Sequence, residues 1–391
     1  MPKIVTSICV FVLLFFVSCK NRENALQDNS YAEEITVKNE EFVVHTQDEL
    51  FLKDYNLVSS FACDSSLDII VAYNHTIHAL DLFSPQSNYL KQVILDKEGG
   101  NGILPDIHGL YVHTLDSIWI YNYDIVYLTD TTGIVKEKID IGNLQSDEEI
   151  IIHANYSISS AYLYYNKKRN SLFYAARIIQ PNYKLRFYVY EYFLENRNVK
   201  QYELSGSDYD TDIWSSYGWK NTPNVTFSDD KIVYNYPIES NIYTIDLEDN
   251  SKHTYGGKSR YTKNTVNKLS GNAGFFSAEI HKIENVHFYE IVYNPVLDLY
   301  FRLHIDRNDF LKTQDAQDAG IQFNKKGRYL MIFNSKFEIV YEGKLPSDRY
   351  SVITSWCAVN KGFLMFVNNY YFNGSGINEN TVLFDVFEPQ I

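Results

Sequence analysis

The sequence has little of what would indicate a membrane-spanning, nucleic-acid-binding or helical protein. Its net charge is −14, and its lysine and arginine residues form no cluster, so nucleic acid and anionic lipid surfaces are poor partners. Beyond the N-terminal segment no apolar run is long enough to cross a bilayer. No segment keeps a helical period of 3.6 residues, so we expect little helix. Gly-x-Ser-x-Gly elbows and sialidase-type Asp boxes are also absent, and no hydrolase nucleophile is indicated.

Aromatic residues, by contrast, are abundant, with 33 tyrosines and 24 phenylalanines in 391 residues. Aromatic side chains favour strands. Between residues 105 and 143, apolar residues occupy alternate positions in short runs, and turn-forming Asp, Asn, Ser and Gly residues separate the runs. A period of two that is interrupted in this way is typical of a meander of four antiparallel strands. The alternating apolar positions are Leu110 and Val112, Ile118 and Ile120, Val126 and Leu128, and Ile139 and Ile141.

Weaker copies of this meander recur along the chain at intervals of about 40 to 60 residues, which is typical of a repeat architecture. The pattern predicts an all-β fold, a single six-bladed β-propeller over residues 35–391, with seven blades if residues 321–345 form a blade of their own. The last repeat has only three obvious strands. We therefore expect a strand in residues 35–46 to complete it and close the ring. A flat β-sandwich is the alternative, but it does not explain the recurrence.

The N-terminal residues have the layout of an export signal. Lys3 precedes an apolar run over residues 8–17, and the small residue Ser18 follows that run. The run is too short to span a bilayer comfortably. We therefore interpret residues 1–18 as a signal peptide and not as part of the fold.

The cysteine that follows this signal resembles the acylated residue of a bacterial lipobox, with Phe16 where leucine is usual. The resemblance implies that Cys19 becomes the lipid-modified N-terminus and that the protein is held at a membrane by lipid. Residues 19–34 are polar and poor in aromatic residues, which suits a flexible tether. An ordinary signal peptide that happens to end in cysteine is the alternative.

Two of the four cysteines fall within the predicted propeller, Cys63 and Cys357. Export would place them in an oxidising compartment, where a disulfide is permitted. Cys63 lies on the first strand of the first repeat and Cys357 on the first strand of the last, and ring closure makes these two strands neighbours. A disulfide between them is geometrically conceivable, and two buried free thiols are the alternative.

The candidate site residues lie in an irregular segment, residues 205–223, between the third and fourth repeats. Three carboxylates on alternate positions can direct oxygen atoms at one calcium ion, although the glycine and the distant glutamate of an EF-hand loop are missing. The aromatic residues that follow could stack on a sugar ring or a peptide. A solvated acidic loop and an aromatic plug of the channel are the alternatives, and no other metal or cofactor is indicated. The candidates are Asp208, Asp210 and Asp212, with Trp214, Tyr217 and Trp219.

Four short motifs follow one another along the predicted propeller. They are the glycine-rich loop at residues 99–102, His108-Gly-Leu-Tyr-Val-His, Tyr289-Glu-Ile-Val-Tyr-Asn-Pro and Phe337-Glu-Ile-Val-Tyr-Glu-Gly-Lys-Leu. With the lipobox, they resemble an uncharacterised family of Bacteroidetes lipoproteins that is similar to TolB-like, six-bladed β-propellers. The resemblance implies an outer-membrane lipoprotein on the periplasmic side or at the cell surface, and it supplies no catalytic residues. Asn294 stands where the pattern predicts aspartate.

Together these features predict a binding or scaffold module in the cell envelope. We expect its site at the channel mouth lined by the loops between blades, where variable loops sit on a rigid frame. The expected partners are the membrane, through the lipid, and a glycan, a peptide or an envelope protein. The alternative function is a propeller enzyme, a hydrolase or lyase acting on glycans, because propellers accommodate such chemistry without a change of fold.

Overall fold

The computed structural model describes most of the chain between residue 26 and residue 391. The described residues are 26–45, 55, 57–62, 68–85, 88–122, 124–142, 150–151, 163–179, 185–205, 222–269, 275–309, 322–323, 325–346, 349–350, 355–367 and 381–391. Secondary structure among them comprises 25 strands and one α-helix, α1 (Phe275–Glu284). Within these ranges no helix is long and apolar enough to cross a membrane.

The strands form six antiparallel sheets arranged as the blades of a β-propeller. Blade 1 contains β2 (Val58–Ala62), β3 (Asp68–Asn74), β4 (Ala79–Ser84) and β5 (Asn88–Ile94), and blade 2 contains β6 (Ile107–Thr114), β7 (Ser117–Asn122), β8 (Ile125–Thr129) and β9 (Val135–Asp140). Blade 3 contains β10 (Ile150–Ile151), β11 (Leu163–Asn166), β12 (Ser171–Ile179), β13 (Leu185–Phe193) and β14 (Val199–Leu204). Blade 4 contains β15 (Asn224–Phe227), β16 (Lys231–Asn235), β17 (Ile242–Asp246) and β18 (Lys252–Tyr255). Blade 5 contains β19 (His287–Asn294), β20 (Leu299–Ile305), β21 (Arg328–Asn334) and β22 (Ile339–Lys344), and blade 6 contains β23 (Trp356–Val359), β24 (Gly362–Phe366), β25 (Thr381–Gln390) and β1 (Thr36–His45).

The predicted six-bladed propeller is confirmed. Residues 321–345 do not form a seventh blade, because β21 pairs with β20, β22 pairs with β21, and both strands complete blade 5. The two stacked layers of a sandwich are not formed, because the described strands form six separate sheets.

The N-terminal strand closes the ring, as the incomplete last repeat predicts. β1 pairs with β25 over ten antiparallel positions, from Thr36 opposite Gln390 to His45 opposite Thr381. Val44 on β1 is 1% exposed and belongs to an apolar cluster shared by blades 6 and 1. The first and last strands of the described chain thus share one sheet, which removes an open edge.

The hydrophobic core lies between neighbouring blades. Val71 and Leu82 of blade 1 pack in one buried cluster with Val112 and Ile120 of blade 2. This arrangement follows from the alternation of apolar residues along the strands, because each sheet buries one face against the blade before it and the other against the blade after it.

Several buried tyrosines donate hydrogen bonds from their hydroxyl groups to buried carboxylates. Asp81, Glu191 and Asp385 each lie on the third strand of a blade, and each is fully buried. The matching donors are the hydroxyl groups of Tyr55, Tyr202 and Tyr350, respectively. Burial, reinforced by the carboxylates, raises the pKa of all three tyrosines, so they remain protonated donors at neutral pH.

The segment that precedes β1 lies along blades 4 and 5. Leu26 is buried, and the backbone N–H of Gln27 donates to Asn241 Oδ1 at 3.0 Å. The side chain of Asn29 donates to the carbonyl oxygen of Lys258 at 2.7 Å. Residues 26–34, which the sequence assigns to the polar tether, therefore make specific contacts with the propeller.

Side-chain amides join the inner strands of neighbouring blades. Asn224 Nδ2 of blade 4 donates to the Phe288 carbonyl oxygen of blade 5 at 3.1 Å. Asn294 Nδ2 of blade 5 donates to the carbonyl oxygens of Val359 and Gly362 in blade 6, at 2.8 and 2.9 Å. The amide donors explain why asparagine occupies position 294 where the family resemblance predicts aspartate, since a carboxylate could not donate to these two oxygens.

We predict that Asn294→Asp lowers the free energy of unfolding by about 2–4 kcal/mol, because a buried carboxylate would face two carbonyl oxygens. The side-chain oxygen that accepts from the backbone N–H groups of Val296 and Leu297 is retained, so only the inter-blade contact is lost. Urea denaturation measures the change. The control is Asn196→Asp in an exposed turn, where the side chain only accepts a hydrogen bond and we expect a change below about 0.5 kcal/mol. Equal effects of the two substitutions would contradict the prediction.

Candidate functional site

A cavity of about 490 Å³ occupies the centre of the ring. Residues from the inner strands of all six blades line it, namely from β2, β6, β11, β15, β19 and β23. Its size lies within the range of small-molecule sites, about 300–1,000 Å³. The central channel is therefore the candidate functional site in the described part of the protein.

Hairpin turns from several blades gather at one end of this channel. Asp229 and Asp230 follow β15, Pro295 follows β19, and Asn360 follows β23, and all four line the cavity. Asp68, at the start of β3, accepts a hydrogen bond from the backbone N–H of Asn360 at 2.7 Å. We call these five residues the turn mouth. They meet because the inner strands of the blades end side by side.

Two tyrosines extend from the inner strands toward the turn mouth. The Tyr164 hydroxyl donates to Asp229 Oδ1 at 2.7 Å, and its ring stacks on Phe227 with centroids 5.5 Å apart. Tyr111 of the preceding blade packs edge-on against Tyr164 at 5.0 Å. Burial raises the pKa of Tyr164 and of Tyr111, and Asp229 adds to both shifts. Both hydroxyl groups therefore remain protonated at neutral pH.

A third tyrosine lines the channel from blade 5. The Tyr293 hydroxyl donates to Asp298 Oδ1 at 3.1 Å. Burial raises the pKa of Tyr293 to about 12, with contributions from Asp298 and from the more distant Asp230 and Asp229. Burial, with the neighbouring carboxylates, therefore keeps the Tyr293 hydroxyl protonated at neutral pH.

The channel lining carries carboxylates and no basic side chain among the described lining residues. Its carboxylates are Asp68, Asp229, Asp230 and Glu290. At the rim, Lys231 Nζ lies 3.0 Å from Asp230 Oδ2. Burial would raise the pKa of Asp230, but hydrogen bonds from Lys231 and Ser228 outweigh it and lower that pKa overall. Across the described ranges no three His, Cys, Asp or Glu side chains form a group that could hold a metal ion.

The six site residues predicted from the sequence lie outside the described residues, so the predictions for them stand as predictions. They are Asp208, Asp210, Asp212, Trp214, Tyr217 and Trp219. Their segment connects β14 to β15 and so precedes the inner strand of blade 4. The turn mouth lies at the opposite end of that strand.

The cysteine predictions also rest partly on undescribed positions, Cys19 and Cys63. Cys357 is buried, lines the channel and forms no disulfide with a described residue. Burial raises the pKa of Cys357 to about 12, so the group stays a thiol at neutral pH. Its pairing with Cys63 remains a prediction.

Sequence reasoning missed the channel residues Tyr111, Tyr164, Tyr293, Asp229 and Asp230. The available signal was positional, because each lies on the first strand of a repeat or directly after it. In a closed propeller the first strand of every repeat is the innermost one. Aromatic or acidic residues at these positions therefore face or border the channel.

Comparison with known proteins agrees with this architecture. The model of a domain of unknown function, DUF4221, matches residues 36–344. The crystal structure of a DUF4221 member from Bacteroides vulgatus is similar over 92% of this chain and 99% of that chain, with 16% sequence identity and a TM-score of 0.69. A luciferin-regenerating enzyme is similar over 89% of this chain and 95% of its own, with 8% identity and a TM-score of 0.42. No curated protein matches.

The family match spans β1 to β22, which includes the inner strands of blades 1 to 5 and the strand that closes blade 6. Tyr111, Tyr164, Asp229, Asp230 and Tyr293 all fall within it. The neighbour from Bacteroides vulgatus supports the fold alone, because its identity to this chain is low. The chain belongs to the DUF4221 family of domains of unknown function.

Proposed function

We propose that this protein is a lipid-anchored binding module of the cell envelope, and that its ligand lies in the central channel at the turn mouth. The observation that carries the proposal is the cavity of about 490 Å³, which the inner strands of all six blades line. Such a site combines a rigid frame with turns that can vary, which is the usual arrangement of a binding site on a propeller. Protonated tyrosine hydroxyl groups and carboxylates supply both donors and acceptors for a polar ligand.

The lipid anchor is a separate part of this proposal and rests on the lipobox resemblance at Cys19. It is tested by growing cells that produce the full chain with radiolabelled palmitate. We expect label and membrane association for the natural chain, and neither for Cys19→Ala. Label that persists in Cys19→Ala would contradict acylation at this residue.

Occupation of the channel can be tested with a substitution that fills it. Thr226 lines the cavity on β15 and is half-buried, so we expect Thr226→Trp to block ligand entry. The purified full chain, in detergent, is screened on a glycan array and on a peptide library. The matched control is Thr254→Trp on the exposed face of β18, which we expect to bind as the natural chain does. Binding that survives Thr226→Trp would move the site away from the channel.

An enzyme acting on glycans is the second candidate function, because four carboxylates line the same cavity. Glycoside hydrolysis uses two carboxyl groups, one of them a proton donor with a raised pKa. The lowered pKa of Asp230 suits a charged contact better than proton donation. Release of nitrophenol from aryl glycosides by the natural chain, with loss of that activity in Glu290→Gln, would favour the enzyme over the binding module.

A further inference from the structure

We propose that residues 26–35 form a strap that fixes the propeller at the membrane, with the outer rim of blades 4 and 5 nearest to the lipid. This inference rests on the lipid anchor of the proposed function, and it adds the surface of the propeller that faces the bilayer. It follows from the contacts of the strap, from the shape and charge of its seat, and from the length of chain between the strap and Cys19.

The strap adds a short stretch of chain to the outer edge of blade 5. Tyr31 forms a parallel bridge with Ile339, the first residue of the outermost strand β22. The backbone N–H of Ile339 donates to the Ser30 carbonyl oxygen at 2.8 Å, and the backbone N–H of Ala32 donates to the Ile339 carbonyl oxygen at 3.2 Å. Pairing of a segment with the exposed edge of a sheet is a general mode of recognition, so blade 5 holds the strap as it holds its own strands.

Blade 4 holds the beginning of the strap. Leu26 is 7% exposed. The Asn29 side chain pairs with both backbone groups of Lys258, since its Nδ2 donates to the carbonyl oxygen and its Oδ1 accepts from the N–H, each at 2.7 Å. A Cβ at Gly256 would lie 2.1 Å from the Asp28 carbonyl oxygen, and the φ angle of Gly256 is not positive. The close approach of the strap, and not the local backbone conformation, therefore requires glycine at position 256.

The charges of the strap and of its seat are complementary. Lys258 Nζ lies 2.9 Å from Asp28 Oδ1, and Arg260 Nη2 lies 3.1 Å from Glu34 Oε1. Both basic residues belong to residues 250–278, a stretch without aspartate or glutamate in a chain of net charge −14. Such a stretch at this rim lowers the repulsion between an otherwise acidic protein and the phosphate groups of lipids.

The position of the strap limits which part of the propeller can reach the membrane. Cys19 precedes Leu26 by seven residues, which span at most about 25 Å when extended. A domain of this size is about 50 Å across. Blades 1 and 2 lie opposite blades 4 and 5 in a ring of six, so they cannot reach the lipid. Without the strap, the chain from Cys19 to Thr36 could span about 60 Å, and any side of the ring could face the membrane.

The orientation can be measured by energy transfer from a fluorophore on the propeller to labelled lipids. The acylated full chain is reconstituted into phosphatidylcholine vesicles that contain rhodamine-labelled lipid. The fluorophore is coupled to p-azidophenylalanine, which replaces either Lys336, exposed between β21 and β22 of blade 5, or Glu137, exposed on the outer strand of blade 2. Because these positions lie on opposite sides of a ring about 50 Å across, we expect at least about twofold higher transfer efficiency from position 336.

Gly256→Val should release the strap, because the new side chain would occupy the position of the Asp28 carbonyl group. We expect the two transfer efficiencies to become similar and the Ala32 amide to exchange its hydrogen at least about tenfold faster than in the natural chain. The matched control is Gly100→Val, at an exposed position where an added Cβ meets no atom within 4 Å, and it should behave as the natural chain does. Asn29→Ala leaves the seat intact and removes two hydrogen bonds, so it provides the same readouts should Gly256→Val fail to fold.

The outcomes separate this inference from the proposed function. A natural chain without palmitate label would remove the anchor and this inference together. Palmitate label combined with equal transfer from both positions, or with higher transfer from position 137, would keep the anchor and overturn the orientation. An Ala32 amide that exchanges as fast in the natural chain as in Gly256→Val would overturn the strap itself.

Discussion

A chain that begins at residue 46, and so lacks β1, is expected to lose the closed propeller and to aggregate. β1 supplies the outermost strand of blade 6 over ten paired positions, and Val44 lies in the apolar cluster between blades 6 and 1. Loss of that ladder and of the buried side chain removes at least about 5 kcal/mol, comparable to the whole stability of many domains. It also exposes β25 as an unpaired edge. Size-exclusion chromatography and thermal unfolding measure both effects.

The matched control is a chain that begins at residue 36. It keeps β1, and among the described residues it loses only 26–35, whose backbone and side-chain hydrogen bonds with the propeller are to blades 4 and 5 and the segment between them. We expect it to remain monomeric with a modestly lower unfolding temperature. A synthetic peptide of residues 36–45 added to the shorter chain should restore solubility by pairing with β25. A shorter chain that stays monomeric and unfolds at the natural temperature would show that β1 is dispensable.

Arg302→Ala should be the most destabilising single substitution that we predict, lowering the free energy of unfolding by about 3–5 kcal/mol. Arg302 on β20 is fully buried between blades 4 and 5. Its guanidinium donates to the carbonyl oxygens of Ser240, at 2.8 Å, and Gly257. Burial lowers the pKa of Arg302 to about 9, opposed by Glu342, so the group is still charged at neutral pH. Removal leaves two buried carbonyl oxygens without their donor.

Arg302→Lys tests whether the planar guanidinium matters or only the charge. A single ammonium cannot reproduce the two contacts, so we expect a loss of about 2 kcal/mol. Arg186→Ala is the control, because Arg186 and its partner Glu203 are both about 40% exposed and such pairs contribute about 0–1 kcal/mol. The measurement is urea denaturation at pH 7. A loss in Arg302→Ala no larger than that in Arg186→Ala would refute the inter-blade role.

Gly257 provides an independent check on the same contact. A Cβ at this position would lie 2.5 Å from the Ser240 carbonyl oxygen and 2.7 Å from Arg302 Nη2. The close approach of the backbone to the guanidinium therefore requires glycine here. Gly257→Ala combined with Arg302→Ala should cost less than the sum of the two single substitutions, because both disturb one contact.

The site was less predictable than the fold. Its residues Tyr111, Tyr164, Asp229 and Tyr293 come from four blades and are far apart in sequence, and no short motif joins them. Sequence reasoning instead selected the loop around Trp214, because aromatic and acidic residues are locally dense there. Local density can be seen in one sequence, whereas convergence on a channel depends on how the blades are placed around the ring.

The sequence by itself predicted most of the strands, a ring of six or seven blades and the closing role of β1, whereas it predicted a strand at residues 274–281, where the structure has the helix α1. Alternation of apolar residues is a local property that a strand must satisfy in order to bury one or both of its faces. Only the tertiary structure decided which side chains line the channel, why Asn294 is an amide, and where residues 26–34 lie. These depend on contacts between blades, in which an acceptor such as the Val359 carbonyl oxygen lies 65 residues from its donor. Side-chain periodicity specifies the strands, but the partner of a buried polar group is set by packing across the ring.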